Sequence, residues 1–334
     1  MYSFSDIIGH DTIKEHLLGA LRENKLSHAY IFAGEDGSGK MMLANRFAAA
    51  LECSDEHERP CGSCISCMQA ESGNHPDIIY VTHEKKMITV DDIRTRLVND
   101  ITIKPYSGQY KVYIIDEAEK MNEAAQNALL KTLEEPPEYA VILLLTTNTG
   151  AFLQTILSRC VILTLKPVKD SLIRDYLMAR FRLPDYMAGL CASFSGGCIG
   201  KAIRYAQDQD FAVTRDETLR FAKNARHMSM SAGADFFDGL SSRCADTAAK
   251  ELVFSDFFNL LNIWYRDVLM YKSTGDLNRL IFSSDTAEIR EQARDYSYQR
   301  LADIIDALTQ ARERLSSNLS YEASMQLLLQ HIKN

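Results

Sequence analysis

His28-Ala29-Tyr30-Ile31-Phe32-Ala33-Gly34-Glu35-Asp36-Gly37-Ser38-Gly39-Lys40-Met41 is the stretch on which the reading of this chain turns. An apolar run enters a glycine loop, and a helical pattern from Leu43 to Leu51 leaves it. Strand, glycine loop and helix in that order are the setting of a phosphate-binding P-loop. Gly34, Gly37 and Gly39 let backbone N–H groups turn toward an anion, and the helix after them aims its positive end at the same point. Lys40 would reach the outer phosphates, with Ser38 beside it. The next position normally carries Ser or Thr, whose hydroxyl ligates Mg²⁺. Here it is Met41. A thioether is a soft ligand and does not replace a hydroxyl on a hard cation.

Apolar runs at Asp77 to Val81, Lys111 to Ile115, Ala140 to Thr147 and Val161 to Leu165 add four strands to the one before the loop. Helical patterns at Asp11 to Glu23, Val90 to Asn99 and Asn122 to Glu134 fall before or between them. Strands alternating with helices predict a parallel five-stranded sheet covered on both faces. The run from Lys111 ends in Asp116 and Glu117. In P-loop ATPases such acids hold Mg²⁺ through water and polarise the attacking water. The pairing with the glycine loop reads as an ATPase fold whose hydrolysis is weak or absent, because position 41 lacks the hydroxyl.

After Pro167 the pattern changes. Three short helices are expected over Asp170 to Phe181, Pro184 to Phe194 and Cys198 to Gln207. From about Phe211 only helices are expected, among them Val253 to Tyr271, Leu301 to Leu315 and Tyr321 to Ile332. The domains are therefore drawn at 1–166, 167–208 and 209–334.

Three further polar residues stand out. Asn148 ends the fourth strand, where it either senses a γ-phosphate or simply closes a turn. Arg159, in Ser158-Arg159-Cys160, is either an arginine finger or a surface ion pair. Lys201, after Gly196-Gly197-Cys198-Ile199-Gly200, either reaches a nucleotide or is a solvated lysine beyond a glycine cap.

Cys53, Cys61, Cys64 and Cys67 crowd one polar loop with C-x7-C-x2-C-x2-C spacing. Four thiolates this close predict a closed, structural Zn²⁺ site. An iron–sulfur cluster is the alternative, but its runs place Pro after the last cysteine and here Met68 follows. Cys160, Cys191, Cys198 and Cys244 stand singly in apolar patterns and are expected in the core.

The chain has 334 residues, 46% hydrophobic and 25% charged, with a net charge of −8 and eight cysteines. No apolar run reaches the roughly 20 residues of a membrane span, and the N-terminus does not read as a signal peptide. A cytoplasmic protein is expected. The net charge argues against a surface coated for nucleic acid, although a local basic channel is compatible with it.

Asp6-Ile7-Ile8-Gly9-His10, Ser27-His28-Ala29-Tyr30, the four-cysteine loop, Lys111 to Ala118, Asn127 to Pro137 and Ser158-Arg159-Cys160 occur in order. Over residues 1 to 207 the chain resembles bacterial DNA polymerase III clamp-loader subunits of the AAA+ class. Beyond that, the likeness is in length and helical character. The resemblance implies a RecA-like domain, a small helical lid and a helical collar that assembles a ring. It also implies gamma/tau-type motor subunits and a delta subunit as partners, and no membrane partner. The sliding clamp and primed DNA would be met through the assembled ring. One member of the family generally does not hydrolyse ATP and lends the arginine of its Ser-Arg-Cys motif to the neighbouring ATP site. Carried over, that makes Arg159 the finger. The cysteines match the family's zinc module one for one. Gly34, Gly37, Ser38, Gly39, Lys40, Met41, Asp116, Glu117, Asn148 and Lys201 then form a degenerate nucleotide site, in which ATP or ADP binding stays open. Motor subunits carry Arg where this chain has Lys201. An active motor subunit and a stand-alone P-loop enzyme are the competing readings. Met41 and the missing long C-terminal extension count against the first, and the Leu129 to Pro137 helix end and collar-like tail count against the second.

Overall fold

The computed structural model describes residues 3–55, 57–81, 87–316 and 328–333. By contacts the chain divides into two compact units, residues 1–203 and 204–334.

In the first unit, α1 (Asp11–Arg22) precedes β1 (Ala29–Ala33), and α2 (Lys40–Leu51) follows the glycine loop. Next come α3 (Ile65–Glu71), β2 (Ile78–Val81) and α4 (Val90–Ile93), then β3 (Lys111–Ile115) and α5 (Glu123–Glu134). After these, β4 (Ala140–Thr146), α6 (Gln154–Leu157) and β5 (Val161–Thr164) complete the sheet. All pairings are parallel, in the order β2-β3-β4-β1-β5.

Strand period two explains the layers. Tyr30, Phe32, Val112, Ile114, Leu143 and Leu145 face one side and pack with Leu17, Leu43 and Phe47 of α1 and α2. Ala29, Ile31, Tyr113, Ile115, Ile142 and Leu144 face the other and pack with Ile93, Leu129, Leu133 and Ile156. A strand buried on both faces needs no polar alternation, which is why these runs are almost wholly apolar. Truncating fully buried Phe47 to Ala would cost roughly 3–5 kcal/mol.

Two local expectations change. The helix expected over Val90 to Asn99 is one α-turn, α4, continued by a π-helix over Arg94–Val98. The wider π-turn carries Leu97 nearly above Ile93, and both are buried. The cysteine-rich segment, read as loop to Cys67, becomes helical at Ile65. Cys64 caps α3 by accepting the Cys67 N–H.

The three helices after Pro167 are α7 (Asp170–Phe181), α8 (Asp185–Phe194) and α9 (Ile199–Gln207). In the second unit follow α10 (Gln209–Asn224), α11 (Met230–Ser242), α12 (Thr247–Thr274), α13 (Thr286–Asp295) and α14 (Tyr298–Ser316). Phe254, Phe257, Leu261, Trp264 and Val268 bury one flank of α12, and Trp264 Nε1 donates to Gln292 Oε1 at 2.9 Å. Of the helix expected over Tyr321 to Ile332, residues 328–332 are helical and the rest lie outside the described residues. No described helix is long and apolar enough to cross a membrane.

Candidate functional site

β1, β3 and β4 are adjacent, so their C-terminal ends bring the glycine loop, Asp116 and Asn148 to one edge of the sheet. Ligands of parallel sheets bind at that edge. The Gly34 N–H donates to the Thr146 carbonyl at 3.0 Å and fastens the loop to β4. Gly37 and Gly39 have φ of 76° and 100°, so both use the left-handed region that glycine permits.

Lys40 Nζ donates to the loop's own carbonyls, Gly34 O at 2.7 Å and Glu35 O at 3.0 Å. Ser38 Oγ is buried. Met41 packs against the apolar core beneath the loop. Burial first, and the neighbouring Glu117 and Glu119 carboxylates, raise the Asp116 carboxyl above its ordinary range, against a pull from Lys40. Glu117 sits at φ 49° and ion-pairs with Lys120 at 2.7 Å. Asn148 closes a turn, its Oδ1 accepting the Gly150 N–H at 2.9 Å.

Arg159 lies between α6 and β5. Its Nη2 meets Glu134 Oε1 at 2.9 Å, and its Nη1 donates to Thr155 O at 2.9 Å and Ser158 Oγ at 3.2 Å. None of these partners belongs to the glycine loop. The Arg159 side chain is about one-third exposed, at 34%.

The four cysteine sulfurs lie within 4.8 Å of one another. Cys53 to Cys64 and Cys61 to Cys67 are each 4.0 Å apart. Sulfurs around a tetrahedral zinc with bonds of about 2.3 Å stand about 3.8 Å apart, so the set fits zinc. Backbone N–H groups of Cys61, Cys64 and Cys67 point at Cys53, Cys61 and Cys64 sulfurs, each at 3.4 Å. Such donors favour thiolates. Hydrogen bonds from Ser63 and the Cys64 N–H pull the Cys61 thiol down to about 6, while burial pushes Cys53 and Cys67 up. Of the single cysteines, Cys191 and Cys198 are buried, and half-buried Cys160 packs against the core. Cys244 is also half-buried.

Residues 9–169 match the family described as "DNA polymerase III, delta subunit". The chain is 29% identical to DNA polymerase III subunit delta' of Bacillus subtilis, over 94% of this chain and 93% of that one. It is 40% identical to subunit tau/gamma of Haemophilus influenzae, over 52% of this chain and 25% of that one. Over nearly its whole length the chain is similar to a DNA polymerase III clamp-loader subunit. A gamma subunit-related protein of Thermotoga maritima shares the fold, with a TM-score of 0.53 at 20% identity, covering 95% of this chain and 98% of that one.

Several contacts of the site join residues that are far apart in the sequence. Gly200 at the start of α9 donates its N–H to the Gly37 carbonyl at 2.8 Å. Lys201 Nζ meets Glu35 Oε2 at 3.4 Å, so Lys201 touches the loop itself. His10 Nε2 lies 3.1 Å from the Ser38 carbonyl, and burial holds its imidazole below the usual range. Glu119 accepts the Thr147 hydroxyl at 2.6 Å; that bond and others outweigh burial and keep its carboxyl low. The Asp6 to His10 motif contains His10, and the stretch from Gly196 to Lys201 contains Gly200 and Lys201; Glu119 alone carried no sequence signal.

Proposed function

We propose that this chain is the delta-prime-type, non-hydrolysing subunit of a DNA polymerase III clamp loader. It acts as a stator and offers Arg159 to the ATP of an adjacent gamma/tau-type subunit while the complex loads a sliding clamp on primed DNA. The observation that carries this is Met41: where Mg²⁺ needs a hydroxyl, a half-buried thioether side chain packs against the core. The engagement of Lys40 by loop carbonyls and of Glu117 by Lys120 agrees with an idle site. So does the near-full-length likeness to the B. subtilis delta' subunit. ATP or ADP binding without turnover is compatible with this role.

The reading divides the chain into a RecA-like domain over 1–166, a lid over 167–208 and a collar over 209–334 that meets the other subunits, delta included. Zn²⁺ on Cys53, Cys61, Cys64 and Cys67 is structural, since four protein thiolates leave no coordination position for water. The location is cytoplasmic. A motor subunit is the second reading, favoured by the 40% identity to a tau/gamma subunit. ATP turnover by the purified chain with Mg²⁺ separates them: the stator shows none above background, whereas brisk turnover establishes the motor.

A further inference from the structure

We infer that Glu52, His75 and Asp77 form a second divalent-cation site, distinct from the four cysteines. Glu52 is remote in sequence from His75 and Asp77, and the three converge where α2 ends and β2 begins. They are 4%, 4% and 1% exposed. One donor atom from each lies within 4.8 Å of the other two. Both Glu52 carboxylate oxygens and His75 Nε2 are buried and make no hydrogen bond of normal geometry, although the Tyr110 backbone N–H lies near Glu52. Buried polar atoms are nearly always paired, so three orphans in one cluster point to something that pairs them.

The pocket is shaped around the acid. A Cβ on Gly108 would overlap Glu52 Oε2, so only glycine leaves the carboxylate its place. Asp77 is held rigidly. Its Oδ1 accepts the Tyr106 N–H at 2.6 Å, and its Oδ2 accepts Ser107 N–H and Oγ and the Gly108 N–H, at 2.8, 3.0 and 3.2 Å. With one bond on Oδ1, a lone pair there remains for a cation.

Two carboxylates and an imidazole suit a borderline divalent ion, zinc first. Mg²⁺ fits poorly, because it keeps several waters and this cluster is closed. Binding through Nε2 moves the ring proton to Nδ1 and gives up the 3.2 Å bond that Nδ1 accepts from the Asp77 N–H. One long neutral hydrogen bond is a small loss against neutralising two buried carboxylates. The bound ion would tie the end of α2, and hence the cysteine module that begins at Cys53, to the edge of the sheet.

The test is zinc content and zinc X-ray absorption of the full chain, wild type against His75→Gln and Glu52→Gln. The expected wild-type result is about two zinc ions per chain and an average shell containing both sulfur and nitrogen or oxygen neighbours. Each variant should lose the nitrogen/oxygen-bound ion and keep the sulfur-bound one. Should a variant fail to fold, the wild-type absorption spectrum decides alone. An all-sulfur shell in the wild type, or zinc content unchanged in His75→Gln, overturns the site.

Discussion

The Gly200 amide donates to the Gly37 carbonyl at 2.8 Å, joining the first turn of α9 to the tip of the glycine loop. The approach is close enough that a Cβ on Gly200 would stand 2.9 Å from the Gly37 Cα, and a Cβ on Gly37 would stand 2.9 Å from the Lys201 nitrogen. Neither position tolerates a side chain without backbone movement. Gly200→Ala should therefore destabilise the first unit by about 1–3 kcal/mol and speed amide exchange at residues 35–39. An unchanged melting temperature and unchanged exchange would show that the contact does not persist in solution.

Met41→Thr restores the hydroxyl expected at that position. Losing part of a half-buried apolar side chain should cost on the order of 1 kcal/mol. A Mg²⁺-dependent strengthening of ATP-analogue binding should then appear in the variant and not in the wild type, measured by fluorescence titration. Equal Mg²⁺ dependence in both proteins would mean that position 41 does not limit the metal.

Arg159→Ala should leave the isolated chain almost as stable as before, because an exposed ion pair such as that with Glu134 contributes about 0–1 kcal/mol. In the reconstituted clamp loader the same variant should slow ATP hydrolysis by at least about tenfold, since arginine fingers supply ~10³–10⁵ in favourable systems. Normal hydrolysis in the presence of clamp and primed DNA would remove the finger role.

Chelation should release zinc from the four cysteines and expose the segment from Cys53 to α3. Structural zinc contributes about 10–16 kcal/mol of apparent binding energy in zinc-finger peptides. Cys64→Ala should abolish the sulfur-bound ion and, since Cys64 also caps α3, raise amide exchange at Cys67. Retention of a sulfur-bound ion in that variant would mean that Cys64 is not a ligand.

The sequence alone determined whatever depends on neighbours along the chain. Apolar runs of strand length, the three central ones buried on both faces, specified the parallel sheet. Glycines set φ at positions 37 and 39, and the cysteine spacing brought four sulfurs within reach of one ion. Met41 was visible as the residue at odds with its motif. Only the tertiary structure decided which remote groups meet. Gly200 reaches Gly37 because α9 returns to the loop. Glu134 reaches Arg159 across 25 residues, and Glu52 finds His75 and Asp77 because α2 ends where β2 starts. Spacing along a helix or strand encodes contacts a few residues apart. Contacts between elements depend on where each crossover lands its helix on the sheet, and no local pattern records that.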